Sequence, residues 1–168
     1  MDRLTMQAYQ YAHAARPCFG ETVSGDGHVV VELEGGLFIG IIDVLGHGYE
    51  AHELARFCEQ WLREHAHPDV LHLMQQMHLE LKGSRGCAMT LAWLCPPKIT
   101  VVGIGNTVFY RIKDQPKSVA AQSGILGQIM PTLRPTEIPL VDCDLIFLTT
   151  DGISEHLDSL QLMAWFSL

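Results

Sequence analysis

Three carboxylates in this sequence stand where an apolar stretch meets glycine. Asp43 ends the run Leu37-Phe38-Ile39-Gly40-Ile41-Ile42 and opens Asp43-Val44-Leu45-Gly46-His47-Gly48. Asp151 ends the run Leu145 to Thr150 and is followed by Gly152, and Asp26 follows Val23-Ser24-Gly25. A strand end holds a side chain more rigidly than a loop does, and a neighbouring glycine lets an ion or a phosphate approach the backbone. The Asp43 segment alone also suits an ordinary strand-to-helix turn; its recurrence in type at Asp26 and Asp151 is what points to a site. An oxygen-only set, without a Cys or His cluster, matches Mg²⁺ or Mn²⁺, which keep several of their waters. A water held between two such ions becomes a hydroxide-like nucleophile near neutral pH and can attack phosphorus in line with its leaving oxygen. On this reading Asp43 bridges two ions, Asp151 binds one and the Val44 carbonyl the other. Asp26 binds directly or through a water.

The elements that must position these groups can be read from periodicity. His28 to Leu33 and Leu37 to Asp43, joined by Glu34-Gly35-Gly36, read as a β-hairpin whose glycines suit a tight turn. The second strand is apolar on both faces and therefore central. From Tyr49 the period changes, with Leu54, Phe57, Cys58, Trp61 and Leu62 forming one helical stripe. A second helix follows Pro68-Asp69, with Val70, Met74, Met77 and Leu81 on one face. Cys87 to Cys95, Ile99 to Gly103, Thr107 to Ile112 and Asp144 to Thr150 read as further strands, with a loop holding short extended pieces over 116–134. Residues 3–14 read as an opening strand and Ile153 to Phe166 as a closing helix. The order of strands, two helices, strands and a helix predicts an α+β domain and disfavours a Rossmann-like alternation.

Composition limits the function classes. The 168 residues predict one domain, 48% hydrophobic and 18% charged, with a substantial core. A net charge of −8, with 11 scattered Lys and Arg, argues against a nucleic-acid partner and suits divalent cations. No membrane-spanning run or signal sequence is visible, so a cytoplasmic protein is expected, and without a coiled-coil heptad a monomer is the default. Cys18, Cys58, Cys87, Cys95 and Cys143 form no CxxC pair and read as reduced core thiols.

Six ordered segments together resemble one family. They are Ser24-Gly25-Asp26, Asp43 to Gly48, Arg85-Gly86-Cys87-Ala88, Val102 to Asn106, Ser123 to Gly127 and Thr149-Thr150-Asp151-Gly152. The set is similar to the metal-dependent serine/threonine protein phosphatases of PPM (type 2C) class, in the bacterial branch that includes SpoIIE and the stressosome phosphatase RsbX. The resemblance implies a central antiparallel β-sandwich flanked by helices in α-β-β-α layers, and a site for two Mn²⁺ or Mg²⁺ ions. It also implies hydrolysis of phosphoserine or phosphothreonine, with phosphorylated STAS-domain proteins of stressosome type as partners. Asp43 and Asp151 match the family's metal-binding aspartates, Val44 its carbonyl ligand and Asp26 its early acidic residue. Gly46, His47, Gly48 and Gly152 complete the matching motifs.

One departure bears on the second metal. The family closes that site with a further acidic residue in an Asp-Asp pair after the last helix, whereas this sequence ends at Trp165-Phe166-Ser167-Leu168. Either a C-terminal strand is lacking from the single domain over 1–168, or one metal site is incomplete; Glu155 and Asp158 are the available substitutes. The departure motivates a second reading, a non-catalytic module that binds a phosphorylated partner. Arg85 is a candidate phosphate contact, with capping of a helix end as its alternative. Asn106 reads as a turn residue, and His65, His67, His72 and His78 read as solvated.

Overall fold

A computed structural model describes residues 9–112, 117–141 and 145–152. Eight strands and two helices follow one another in this order: β1 (Asp26–Leu33), β2 (Gly36–Val44), α1 (Tyr49–His65), α2 (Val70–Glu80), β3 (Cys87–Cys95), β4 (Lys98–Ile104), β5 (Val108–Ile112), β6 (Lys117–Ala120), β7 (Thr136–Pro139) and β8 (Leu145–Thr149). They form a five-stranded sheet, β1-β2-β3-β4-β7, and a three-stranded sheet, β6-β5-β8. Every pairing between these strands is antiparallel. The described architecture is the α+β, antiparallel two-sheet one that the sequence predicts, with helices described on one outer face.

Two cores explain why the central strands are apolar throughout. Successive strand residues point to opposite faces. On β2 and β3, Phe38, Ile42, Val44, Met89, Leu91 and Trp93 pack with α1 and α2. Their alternates Leu37, Ile39, Ala92 and Leu94 join Phe109, Val119, Ile146 and Leu148 between the two sheets. Burying one such large side chain contributes about 2–3 kcal/mol. The helices described lie on one face of the larger sheet. The expected closing helix, with Glu155 and Asp158, lies outside the described residues.

The helix α1 also seals the outer edge of β1. Glu59 Oε1 accepts the His28 N–H at 2.7 Å, and Arg63 donates to the carbonyls of His28 and Val30 at 3.3 and 3.4 Å. Side chains thereby satisfy backbone groups that would otherwise offer a pairing edge.

Several local expectations need correction. Residues 9–14 carry no strand. The stripe that α1 buries is Ala51, Ala55, Cys58 and Leu62, while Phe57 is exposed, because small residues let the helix approach the loop around Gly25. The hairpin turn is Glu34-Gly35, with Gly36 already paired in β2. Cys58 and Cys87 are buried thiols as expected, but Cys18 is exposed and Cys95 half-buried; Cys143 lies outside the described residues. His78 is buried and its Nδ1 accepts the Gly127 N–H at 3.0 Å. No helix among the described residues is long and apolar enough to cross a membrane.

At the start of α2, Asp69 caps the helix by accepting the His72 N–H at 3.0 Å. Replacing it with Ala removes that acceptor and is expected to cost about 1 kcal/mol, a fall in Tm of roughly 3 °C, readable by thermal melting. An unchanged Tm would remove the cap from the account of the helix.

Candidate metal centre at the seam of two sheets

The register of the hairpin brings the first two carboxylates together. Asp26 is the cross-strand partner of Asp43, at the end of the pairing between β1 and β2. Both belong to the face that looks across the sandwich. Asp151 reaches the same end from the other sheet, two residues beyond β8. Asn106, in the connection from β4 to β5, donates from Nδ2 to Asp151 Oδ2 at 2.7 Å, and its amide favours the charged form of Asp43. Ser24 Oγ donates to Asp26 Oδ2 at 3.2 Å, and Thr150 across the seam favours the charged form of Asp26.

Electrostatics show how close the carboxylates are. Burial pushes the Asp43 carboxyl up to about 7 from 3.8, and the charges of Asp151 and Asp26 add to the rise, against a lowering bond from Asn106. Burial also raises Asp26, helped by the Asp151 charge and opposed by the bonds from Ser24 and Thr150. Crowded anions of this kind are relieved by a proton or a cation. Among the described residues no three His, Cys, Asp or Glu side chains converge closely enough to hold an ion by themselves. Carboxylate oxygens are the donor type that hard divalent cations take, with carbonyls and retained waters filling the rest of the sphere.

The loop after β2 is shaped by its glycines. Gly46 and Gly48 have φ of 86° and 80°, a region that side-chain-bearing residues avoid, and they turn the chain from Asp43 into α1. The Val44 side chain is buried on the helical side, and its carbonyl faces Gly25, where a Cβ would sit 3.5 Å away. His47 turns outward to Glu21, with Nδ1 and Oε1 2.6 Å apart. Arg85 lies against Gly46, donates to the Leu45 carbonyl at 3.2 Å and pairs with Glu50. His52 Nδ1 lies 3.0 Å from the Ser24 carbonyl, behind the Asp26 loop. Gly152 follows Asp151 at the exposed rim.

A cleft of ≈ 220 Å³ opens beside Asn106, Tyr110, Ala121, Thr150 and Asp151. A larger one of ≈ 470 Å³ runs from Asp26 along Ile41 and Phe147, and shares Thr150 with the first. The seam is open to solvent at the carboxylates.

The family model for stage II sporulation protein E (SpoIIE) matches residues 33–164. This chain belongs to the SpoIIE family. Among solved structures, a chain from a study of the bacterial stressosome as a modular system adapted to control secondary messenger signalling is 27% identical to this SpoIIE-family chain. Its TM-score is 0.82, covering 91% of this chain and 82% of that one. RsbX, solved in complex with magnesium, is 18% identical with a TM-score of 0.74, covering 82% of this chain and 71% of RsbX. The PP2C phosphatase domain of SpoIIE from Bacillus subtilis, solved with a fragment of its regulatory domain, is 22% identical with a TM-score of 0.71. That match covers 84% of this chain and 44% of that one. A search of curated proteins finds no match. The fold of this SpoIIE-family member is thus that of PP2C-type serine/threonine phosphatases related to RsbX.

Asn106 and Thr150 are the site residues that sequence reasoning did not single out for these contacts. Both lie inside motif segments of the family resemblance, Val102 to Asn106 and Thr149 to Gly152, and that placement was the available signal.

Proposed function

We propose that this chain is a metal-dependent phosphatase that removes phosphate from phosphoserine or phosphothreonine in STAS-domain proteins of stressosome type. The meeting of Asp26, Asp43 and Asp151 from two sheets at one open seam, in a SpoIIE-family chain, carries the reading. Without cations these anions would repel a phosphate, so the site needs divalent charge before it can accept substrate. When bound, Mn²⁺ or Mg²⁺ supplies Lewis-acid and water-activating chemistry. Asp43 offers the most buried anionic oxygens and would be shared between two ions. Asp151 would hold one of them, the Val44 carbonyl the other, and Asp26 would bind directly or through a water. Arg85, swung from Glu50 towards the mouth of the loop, would meet a phosphate oxygen.

The partner class is suggested by the similarity to RsbX and to the stressosome-associated chain. With saturating Mn²⁺, the purified protein is expected to release inorganic phosphate from a phosphorylated STAS-domain protein faster than from p-nitrophenyl phosphate. No release from the phosphoprotein, while an active relative releases it in the same assay, would overturn the proposal.

A second reading is a module of the same fold that binds the phosphoprotein without hydrolysing it. It is favoured by the lack, among the described residues, of a side-chain trio able to hold an ion by itself. A stable complex that withstands Asp43→Asn, with no phosphate released, would select it.

A further inference from the structure

Asn106 sits on the connection that carries the chain from the five-stranded sheet to the three-stranded one, and both of its neighbours are locked. Gly105 has φ 98° and presses so closely on Ala88 that a Cβ would lie 2.3 Å from the Ala88 Cβ. Ala88 is in turn the register partner of Asp43. Thr107 is buried, and its Oγ1 lies 2.7 Å from Thr90 Oγ1 on β3. The amide between these anchors has two N–H donors on one nitrogen. It donates to Asp151 Oδ2 at 2.7 Å, from a place anchored beside the Asp43 end of β2 through Gly105 and Ala88. One neutral group thus ties the Asp151 carboxylate, on the smaller sheet, to backbone packed beside Asp43 on the larger one.

We propose that Asn106 is a positioning residue that fixes the separation of Asp43 and Asp151 across the seam before any cation or substrate arrives. A neutral donor suits this place better than its alternatives. An Asp would add a fourth anion, an apolar residue would leave Asp151 without its donor, and a Lys would neutralise the carboxylates permanently and compete with the cation. Charge-assisted bonds from a donor to carboxylates are among the stronger hydrogen bonds, yet the arrangement leaves the net charge available to a metal. Groups that orient ligands in this way change metal affinity by roughly 10–100-fold when removed.

The test has a metal-free arm and a metal arm. In EDTA, Asn106→Asp keeps a residue suited to the same turn but turns donor into acceptor, and is expected to lower Tm by about 3 °C. Combining it with Asp151→Asn exchanges donor and acceptor at unchanged charge, and is expected to regain at least half of that loss. Additive losses in the double variant would mean that Asn106 serves only its turn, and would overturn the proposal. In the metal arm, which rests on the phosphatase reading, Asn106→Ala is expected to weaken Mn²⁺ binding roughly tenfold by calorimetry. Unchanged affinity in a folded Asn106→Ala protein would likewise overturn it. If the wild-type protein binds no Mn²⁺, the phosphatase reading fails while the EDTA arm still decides the role of Asn106.

Discussion

Asp43→Asn is expected to lose phosphate release by on the order of a thousandfold, about 4 kcal/mol of transition-state stabilisation, with the fold intact. The reason is positional. Asp43 lies at the end of a central strand, opposite Asp26 and near Asp151, and on the proposed reading it is the carboxylate that two ions would share. The same substitution should stabilise the metal-free protein at alkaline pH. The carboxyl stands at about 7 in the folded state against an ordinary 3.8, so the folded state holds its proton more tightly. Such a group favours folding below the unfolded value, and that contribution is lost as pH rises through about 7. The full shift would correspond to about 4 kcal/mol, but Asp43 is only half-buried, and solvent screening reduces the expectation to about 1–2 kcal/mol. In EDTA the variant should therefore melt above the wild type at pH 8, with no such advantage at pH 3.5. Retained turnover would remove Asp43 from the shared position, and equal melting at pH 8 would mean that neither burial nor the neighbouring charges hold the proton on Asp43.

The second large effect concerns Gly105→Ala, expected to destabilise by about 3 kcal/mol or more and to lower Tm by roughly 10 °C. Two costs add. A φ of 98° is one that an L side chain rarely adopts, and the new methyl would meet both the Cβ and the backbone of Ala88, at 2.3 and 2.9 Å. Neither neighbour is a flexible tip that can swing aside. Because Ala88 pairs with Asp43, relief of the clash would shift the carboxylate end of β2. Melting and Mn²⁺ calorimetry on the same sample would show whether stability and site move together. A fall in Tm below 2 °C would mean that the β4 to β5 connection has more room than its geometry allows.

How much of this was legible in the sequence depended on the length of each signal. The strand β3, apolar at eight of its nine positions, and the matched stripe of α2 identify themselves, since nothing else buries so many side chains in a row. The strand β7 was not anticipated, because only Ile138 of its four residues is buried and it serves an edge. In α1 the large residues drew attention, yet the helix turns Ala51 and Ala55 inward where close approach matters more than volume. The three aspartates stood out because strand ends followed by glycine are a local pattern. Asn106 did not, since Gly-Asn reads as a turn wherever it occurs, and its bond to Asp151 spans 45 residues. His78 failed for a related reason: its partner, the Gly127 N–H, is distant in sequence.

The carboxylates are divided between two sheets that otherwise meet through the apolar residues around Phe109, Ile39 and Leu148. A cation at the seam would act as a rivet, and its affinity would contain the work of bringing the two layers into alignment. Ion occupancy and the sliding of one layer over the other then become a single equilibrium, readable from either side. Mn²⁺ at a hundred times its Kd would add about 2.7 kcal/mol to the riveted arrangement, and amide exchange in β5 and β8 would slow accordingly. A partner that leans on the smaller sheet could in the same way loosen or tighten the metal without touching it.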